Sequence, residues 1–227
     1  HAVAGAGDQH LGEDLLAAQV QAGREAAEVA VDLVGPLRAA ELVAGVAEQQ
    51  EDLALALEGR AGAAFHVVDH AESVQVTADD GTVHTAKVVG TDPKTDLALI
   101  KVDGKKDFPF VKFSDQKPRI GDWVVAVGNP FGLGGTVTAG IVSASGRDIG
   151  NGPYDDFIQI DAHVNKGNSG GPAFDTNGEV MGVNTAIYSP SGGSVGIAFS
   201  IPAATVKSVV AQLKDKGSVS RGWIGVQ

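Results

Sequence analysis

Between residues 157 and 185 the chain reads Phe157-Ile158-Gln159-Ile160-Asp161, then Gly167-Asn168-Ser169-Gly170-Gly171-Pro172, then Val180-Met181-Gly182-Val183-Asn184-Thr185. Two short apolar runs flank a loop of glycine, asparagine and proline, which is the pattern of strand, loop, strand. The same pattern continues outward. Ser73–Thr77 and Val83–Val89 flank Asp79-Asp80-Gly81, a hairpin signal. Leu97–Val102, Trp123–Val127, Thr136–Ser143 and Gly196–Ser200 are further short runs punctuated by Gly, Pro, Asn and Asp. Strands of this length and spacing predict an all-β barrel or sandwich. One helix is expected near the end: Pro202 suits its first turn, Val206, Val209, Val210 and Leu213 form an apolar stripe, and Gly217 ends it.

The Gly-rich loop is also the strongest chemical signal. A serine between glycines on a sharp turn is exposed, and its small neighbours let a substrate carbonyl approach the backbone. The amides of Gly167 and Ser169 can then converge on one oxyanion, with Asn168 between them. A serine hydroxyl needs a base, usually a histidine held by a carboxylate. Of six histidines, His66 opens an apolar Val67-Val68 run, and Asp96 opens the strand-like Leu97–Val102. Taken alone, each reads better as a structural residue, Asp96 as a strand-initiating turn residue and His66 as a helix-start or core histidine.

Composition sets the outer bounds. The chain has 227 residues, 43% hydrophobic and 20% charged, an ordinary globular balance. A net charge of −11 argues against a nucleic-acid surface, no apolar run is long enough for an integral membrane segment, and the absence of cysteine excludes disulfides and thiol catalysis. The start at His1, with no basic stretch leading into an apolar one, is read as a processed product or a fragment.

Composition also changes near residue 65. Residues 1–65 hold 18 Ala, 11 acids and three basic residues, and no Ser, Thr or Asn. Glu13–Val34 and Leu37–Leu57 have high helix propensity, and Gly35-Pro36 separates them, so an αα-hairpin is expected. Helix caps and turns ordinarily use the residue types that are missing. Residues 1–65 are therefore read as an atypical Ala-rich acidic segment foreign to the domain, a translation of a GC-rich gene in the wrong frame or from the wrong strand. A genuine helical extension is the alternative.

From His66 onward the chain resembles the protease domain of the HtrA/DegP (periplasmic Do-like) serine endopeptidases. The resemblance rests on His66-Val67-Val68-Asp69, Thr95-Asp96-Leu97-Ala98-Leu99-Ile100-Lys101-Val102, Gly128-Asn129-Pro130-Phe131-Gly132 ahead of Thr138–Ser143, Phe157–Asp161, and Asn165 to Pro172, in that order. It implies a mainly β, chymotrypsin-like double β-barrel over residues 66–220, with the site in the cleft between barrels. It further implies cofactor-free cleavage of unfolded or misfolded proteins in periplasmic quality control and stress response. Ser169 would be the nucleophile, His66 the general base and acid, and Asp96 its orienting carboxylate. Gly167, Asn168 and Ser169 would form the oxyanion hole. Asn184, Thr185, Ala186 and Ile187 with Ala198, Phe199, Ser200 and Ile201 would line the substrate groove, favouring small aliphatic side chains. Arg147–Tyr154 falls where the family has a regulatory loop, the family assembles as trimers or larger, and residues 221–227 resemble the link into a first PDZ domain.

Three departures from the family pattern stand out. Gly62-Ala63-Ala64-Phe65 replaces the usual lead into the histidine, with earlier strands absent, so the N-terminal barrel is expected to be incomplete. His163 stands where a small residue or Pro is usual. The chain is also expected to lack the PDZ region. Because a displacement of about 1 Å at such a site costs roughly a hundredfold, a weak or inactive protease is expected. The alternative is a catalytically inactive protease-fold fragment that acts only as a polypeptide-binding module. A metal site is a further class: His66 and His70 stand four apart with Asp69 between, as in an inverted zincin motif, but no third ligand follows and no metal is expected. Sequencing the coding DNA for residues 55–75 checks the origin of the N-terminal segment; a break in frame or homology is expected, and an uninterrupted homologous frame upstream overturns it.

Overall fold

The structure, a computed structural model, describes residues 30–32, 60–78, 82–104, 108, 110–133 and 135–222. Five strands form the first sheet: β1 (Ala30–Asp32), β2 (Arg60–Ala64), β3 (Ser73–Thr77), β4 (Val83–Asp92) and β5 (Leu97–Val102), in the spatial order β1-β3-β4-β5-β2. Six more close into a barrel in the order β10-β11-β8-β7-β6-β9: β6 (Trp123–Gly128), β7 (Thr136–Arg147), β8 (Phe157–Ile160), β9 (Pro172–Phe174), β10 (Val180–Ile187) and β11 (Ala198–Pro202). Helix α1 (Phe65–Val68) is one turn between β2 and β3, and α2 (Ala203–Lys216) follows β11. This is the two-barrel, chymotrypsin-like arrangement, with the first unit a curled sheet rather than a closed barrel. No described helix is long and apolar enough to cross a membrane.

The expected strands are present, most with longer ends. The β3–β4 hairpin pairs Thr77 with Val83, and Ala78 N–H donates to Thr82 O across it; residues 79–81 lie outside the described residues. Strand β7 runs past Ser143 to Arg147, because two register shifts carry it through Ala144-Ser145-Gly146, which reads locally as a turn. The N-terminal segment departs from expectation where it is described. Ala30–Asp32 is strand, parallel to β3, and not helix. Arg60–Ala64 is strand as well, antiparallel to β5 with Ala64 opposite Leu97. The sheet therefore continues upstream of residue 66, since the unpaired edge of β5 accepts whatever extended chain presents its amides and carbonyls. The remainder of the expected helices lies outside the described residues.

Alternation along each strand fills three apolar clusters. Val74, Val76, Ala86, Ala98, Ile100 and Val102 form the heart of the first sheet. Val124, Ala126, Val142, Ile158, Ile160 and Met181 are among those filling the closed barrel. The third cluster joins the two units: Leu97 and Leu99 from β5 meet Phe113, Val127, Phe157, Phe199 and Ile201, and α2 covers them with Val206, Val209 and Leu213. Each such burial is worth about 1.5–3 kcal/mol, so the two units are fastened by a shared core. The connecting segment is stitched to β10 as well, by Ser114 N–H to Val180 O and Val180 N–H to Lys112 O.

Helix α2 ends as its sequence demands. Gly217 takes φ 68°, and its N–H donates to Leu213 O. That cap is seated against Gly90 of β4, where a Cβ would stand 2.8 Å from the Gly217 carbonyl carbon. The close approach of helix end to strand thus requires glycine at position 90. Gly90→Ala is expected to destabilise the fold by about 1–3 kcal/mol through backbone displacement, measured as a lower urea midpoint with an unchanged slope; an unaltered midpoint would refute this close contact.

Candidate active site

The site forms where the first sheet meets the nucleophile-like loop of the barrel. Strand β2 delivers the chain into α1, which carries His66. The turn from β4 to β5 carries Asp96, in the left-handed region at φ 55°, a conformation that Asp adopts more readily than most residues but which still costs on the order of 1 kcal/mol. Hydrogen bonds hold it there. Phe65 N–H donates to Asp96 O at 3.0 Å, and His66 N–H to Asp96 Oδ1 at 2.9 Å. The other carboxylate oxygen, Oδ2, is 2.7 Å from His66 Nδ1 and accepts the Thr185 hydroxyl. One carboxylate therefore fixes the backbone and the ring of His66 together.

The same turn is braced from behind. Asp92 accepts the Thr95 hydroxyl and both ends of the Arg221 guanidinium, one of them at 2.7 Å, and is only 3% exposed. Arg221 lies 4.4 Å from the centre of the Tyr154 ring, and Lys94 Nζ approaches the same ring at 5.6 Å. In the sequence Asp92 carries no functional signal, and Arg221 reads only as part of a link at the end of the domain. The one signal was the polar, proline-containing turn Asp92-Pro93-Lys94-Thr95, which says nothing of a partner more than a hundred residues away.

Ser169 arrives on the loop between β8 and β9. Gly167 has φ 100° and fits against Asn129, while Asn168 is buried beneath. Gly170, at φ 87°, faces the first sheet: a Cβ there would lie 3.0 Å from Ala64 N, two residues before His66. The bare Gly170 backbone thus lets the serine loop and the histidine helix approach across the boundary between the two units. The Ser169 hydroxyl donates to Thr185 O at 3.2 Å and makes no hydrogen bond to His66. Thr185 consequently touches both halves of the site, its hydroxyl on Asp96 and its carbonyl on Ser169. Among the described residues the amides of Gly167 and Ser169 make no hydrogen bond.

The other expected residues fall into two groups. Ala186 and Ile187 are half-buried at the end of β10. Asn184, Thr185, Ala198, Phe199, Ser200 and Ile201 are buried, with Ala198, Phe199 and Ile201 inside the apolar clusters. His163 is exposed, and its carbonyl accepts the Thr138 hydroxyl at 2.8 Å. The His66–His70 pair does not lie on one helical face, because α1 ends at Val68; His70, at φ 60°, instead faces Asp69 at 3.5 Å.

A serine, a histidine and an aspartate linked through one threonine at the junction of two β-units define the trypsin-like class. Residues 62–183 match the trypsin-like peptidase domain family, and the chain belongs to it. It is 69% identical over 163 residues to a probable periplasmic serine endoprotease DegP-like protein of Bartonella henselae, and 70% identical over 164 residues to the one of Brucella suis; each alignment covers 71% of this chain and 32% of the relative. The chain thus spans about a third of the length of these relatives. Among solved structures it superposes on the HtrA-type protease AlgW with decapeptide at a TM-score of 0.71, with 46% identity, covering 75% of this chain and 53% of that one. For the serine endoprotease from Yersinia pestis the TM-score is 0.67 at 38% identity, covering 81% of this chain and 64% of the other.

The electrostatics follow from the geometry. The hydrogen bond to Asp96 raises the pKa of His66 above its ordinary value; burial works against this and the Asp96 charge adds to it. For Asp96, burial pushes the pKa up, but the bonds from the His66 ring, Thr185 and the His66 amide, with the His66 charge, together hold it below the usual carboxylate value. The raised His66 contributes stability that is full below about pH 6.5 and is lost as pH rises through its folded pKa. The depressed Asp96 contributes stability that is present above about pH 4 and is lost as pH falls through its folded pKa. Both contributions are complete only between those limits. Asp96→Asn removes the cause of the His66 shift and leaves burial, so the ring should titrate below about 6.5; ¹⁵N-resolved NMR of His66 in both proteins reads this, and an unchanged pKa would contradict it.

Proposed function

We propose that this chain is the protease domain of a serine endopeptidase of protein quality control, cleaving unfolded or misfolded polypeptides through an acyl-enzyme. The observation that carries the proposal is the continuous chain of hydrogen bonds from His66 through Asp96 and Thr185 to Ser169, beside the amides of Gly167 and Ser169, which have no partner among the described residues. Names of relatives add weight, since the similar DegP-like proteins are called periplasmic serine endoproteases.

The chemistry runs through these residues. Ser169 Oγ leaves Thr185 O and donates instead to His66 Nε2. Its oxygen bonds to the scissile carbonyl carbon while its proton passes to Nε2. The negative charge that develops on the carbonyl oxygen is met by the N–H groups of Gly167 and Ser169, such donors being worth about 3–4 kcal/mol each. The C–N bond breaks as the imidazolium gives that proton to the leaving amine. Water then attacks the acyl-enzyme, its proton going to Nε2 and returning to Ser169 Oγ as the ester bond breaks. Asp96 keeps Nδ1 protonated throughout and stabilises the imidazolium.

Ala186 and Ile187 are the expected groove residues with accessible surface, and the family resemblance supports a preference for small aliphatic side chains there. The domain takes in Arg60–Ala64 as well as residues 66–220, and the family resemblance supports a trimer or larger assembly exported to the periplasm. The second reading, a polypeptide-binding module without catalysis, draws on the Ser169 hydroxyl being engaged by Thr185 rather than by His66. A fluorophosphonate separates the two, since it labels only an activated serine.

The altered lead into His66 favours a weak or inactive protease, but Asp96 holds both the amide and the ring of His66. Incubation with unfolded casein is therefore expected to give cleavage that Ser169→Ala abolishes and that Asp96→Asn lowers by about 10⁴. The rate should rise with pH to a midpoint above about 6.5, because the raised His66 must be neutral to accept the proton. Casein turnover equal in the Ser169→Ala protein would dismiss the proposal.

A further inference from the structure

We infer that Asn184 and Ser200 are positioning residues of the nucleophile loop, acting on Ser169 from behind and not as substrate contacts. The inference rests on the assignment of Ser169 as nucleophile. Both residues have 0% exposure, so neither reaches a peptide in the groove. Asn184 instead grips the three residues that follow Ser169. Its carbonyl accepts Gly170 N–H at 2.8 Å, its N–H donates to Gly171 O at 2.9 Å, and its side-chain Nδ2 donates to Pro172 O at 3.3 Å. The remaining side-chain atom, Oδ1, accepts the Ser200 hydroxyl at 2.8 Å.

Pro172 O, which can only accept, sets the orientation of the amide, and the Ser200 hydroxyl supports that orientation by donating to Oδ1. A side-chain amide has two nearly isosteric orientations, and only the one with Oδ1 toward the Ser200 hydroxyl leaves Nδ2 facing Pro172. Registry explains the pairing. Asn184 lies opposite Ser200 across β10 and β11, and the next pair is Ala186 with Phe199. Thr185 is the extra residue of the bulge between them, unpaired with β11. Its hydroxyl and carbonyl are those already spoken for by Asp96 and Ser169. The Asn184–Ser200 pair thus anchors one side of the bulge that presents Thr185, and it holds the loop that presents Ser169. An apolar pair of similar size would fill the core as well, so the buried polar pair is explained by what it orients.

The test is a double-mutant cycle on the full chain: Ser200→Ala, Asn184→Ala and both together. The rate of Ser169 labelling by a fluorophosphonate is measured per folded molecule, with kcat and KM on a peptide substrate. Loss of the hydroxyl is expected to lower the labelling rate and kcat about tenfold with KM within about twofold, since loosening the loop displaces the reacting atoms. In the Asn184→Ala background the further loss of Ser200 should have little effect, because its action passes through the amide. Should Ser200→Ala fail to fold, the isosteric Asn184→Asp, which keeps the acceptor for Ser200 and loses the donor to Pro172, carries the same expectation. Full labelling rates in variants that only melt earlier would overturn the inference, as would additive effects in the cycle, while leaving the assignment of Ser169 intact. A parent chain that takes no label would sink that assignment and this inference with it.

Discussion

The site depends on one carboxylate doing three things at once. Asp96 receives the His66 amide, the His66 ring and the Thr185 hydroxyl. The first two bonds lie within the first sheet and orient the imidazole. The third crosses to the closed barrel and ties that imidazole to the strand against which Ser169 leans. Without the Asp96 side chain the two units would still share their apolar core, but nothing would fix the ring relative to the serine. The left-handed backbone at Asp96 is the conformational cost of pointing one side chain both ways. The bonds to His66 and Phe65, and the Asp92–Thr95 brace below, offset it.

Close approach of backbones is the second requirement, and glycine supplies it. Gly170 lets the serine loop meet β2, Gly167 lets it meet the loop at Asn129, and Gly90 lets the end of α2 meet β4. The first two contacts carry reacting groups, and the third fastens the helix whose apolar stripe bridges both units. The serine loop is therefore held on its surfaces by steric fit and from within by the buried Asn184–Ser200 pair. A hydrophobic core is non-directional and places elements to within a side chain's slack; hydrogen bonds and bare backbone narrow that slack at the one place where chemistry requires it.

Charge placement follows the same division. The Asp92–Arg221 pair is almost wholly buried on its acid side; such a pair adds little net stability, but removing either partner strands the other. It lies directly beneath the turn bearing Asp96 and beside the Tyr154 loop, so the end of the described chain and the turn that orients His66 share one ion pair.

Much of the molecule was legible in the chain alone. Alternating runs punctuated by Gly, Pro and Asp gave the strands, because period-two patterning is imposed locally by burial of one face. The apolar stripe ending at Gly217 gave the closing helix, and the loop around Ser169 marked itself by its glycines. The ordered blocks around His66, Asp96 and Ser169 carried a family resemblance before any of these residues had been placed in space. Contacts between residues far apart in sequence were not legible. That Arg60–Ala64 is a strand of the first sheet depends on the free edge of β5, which an Ala-rich segment does not advertise. That Asn184 and Ser200 face inward depends on a bulge in register, and a one-residue shift exchanges the faces of a strand. The roles of Thr185, Asp92 and Arg221 arise only when chain segments tens to more than a hundred residues apart are brought within hydrogen-bonding distance. Sequence by itself determined which residues could do the chemistry and what local shapes they would take. Only the tertiary structure decided which of them meet, because hydrogen bonds are short and directional while the local pattern of a chain carries no record of distance across the fold.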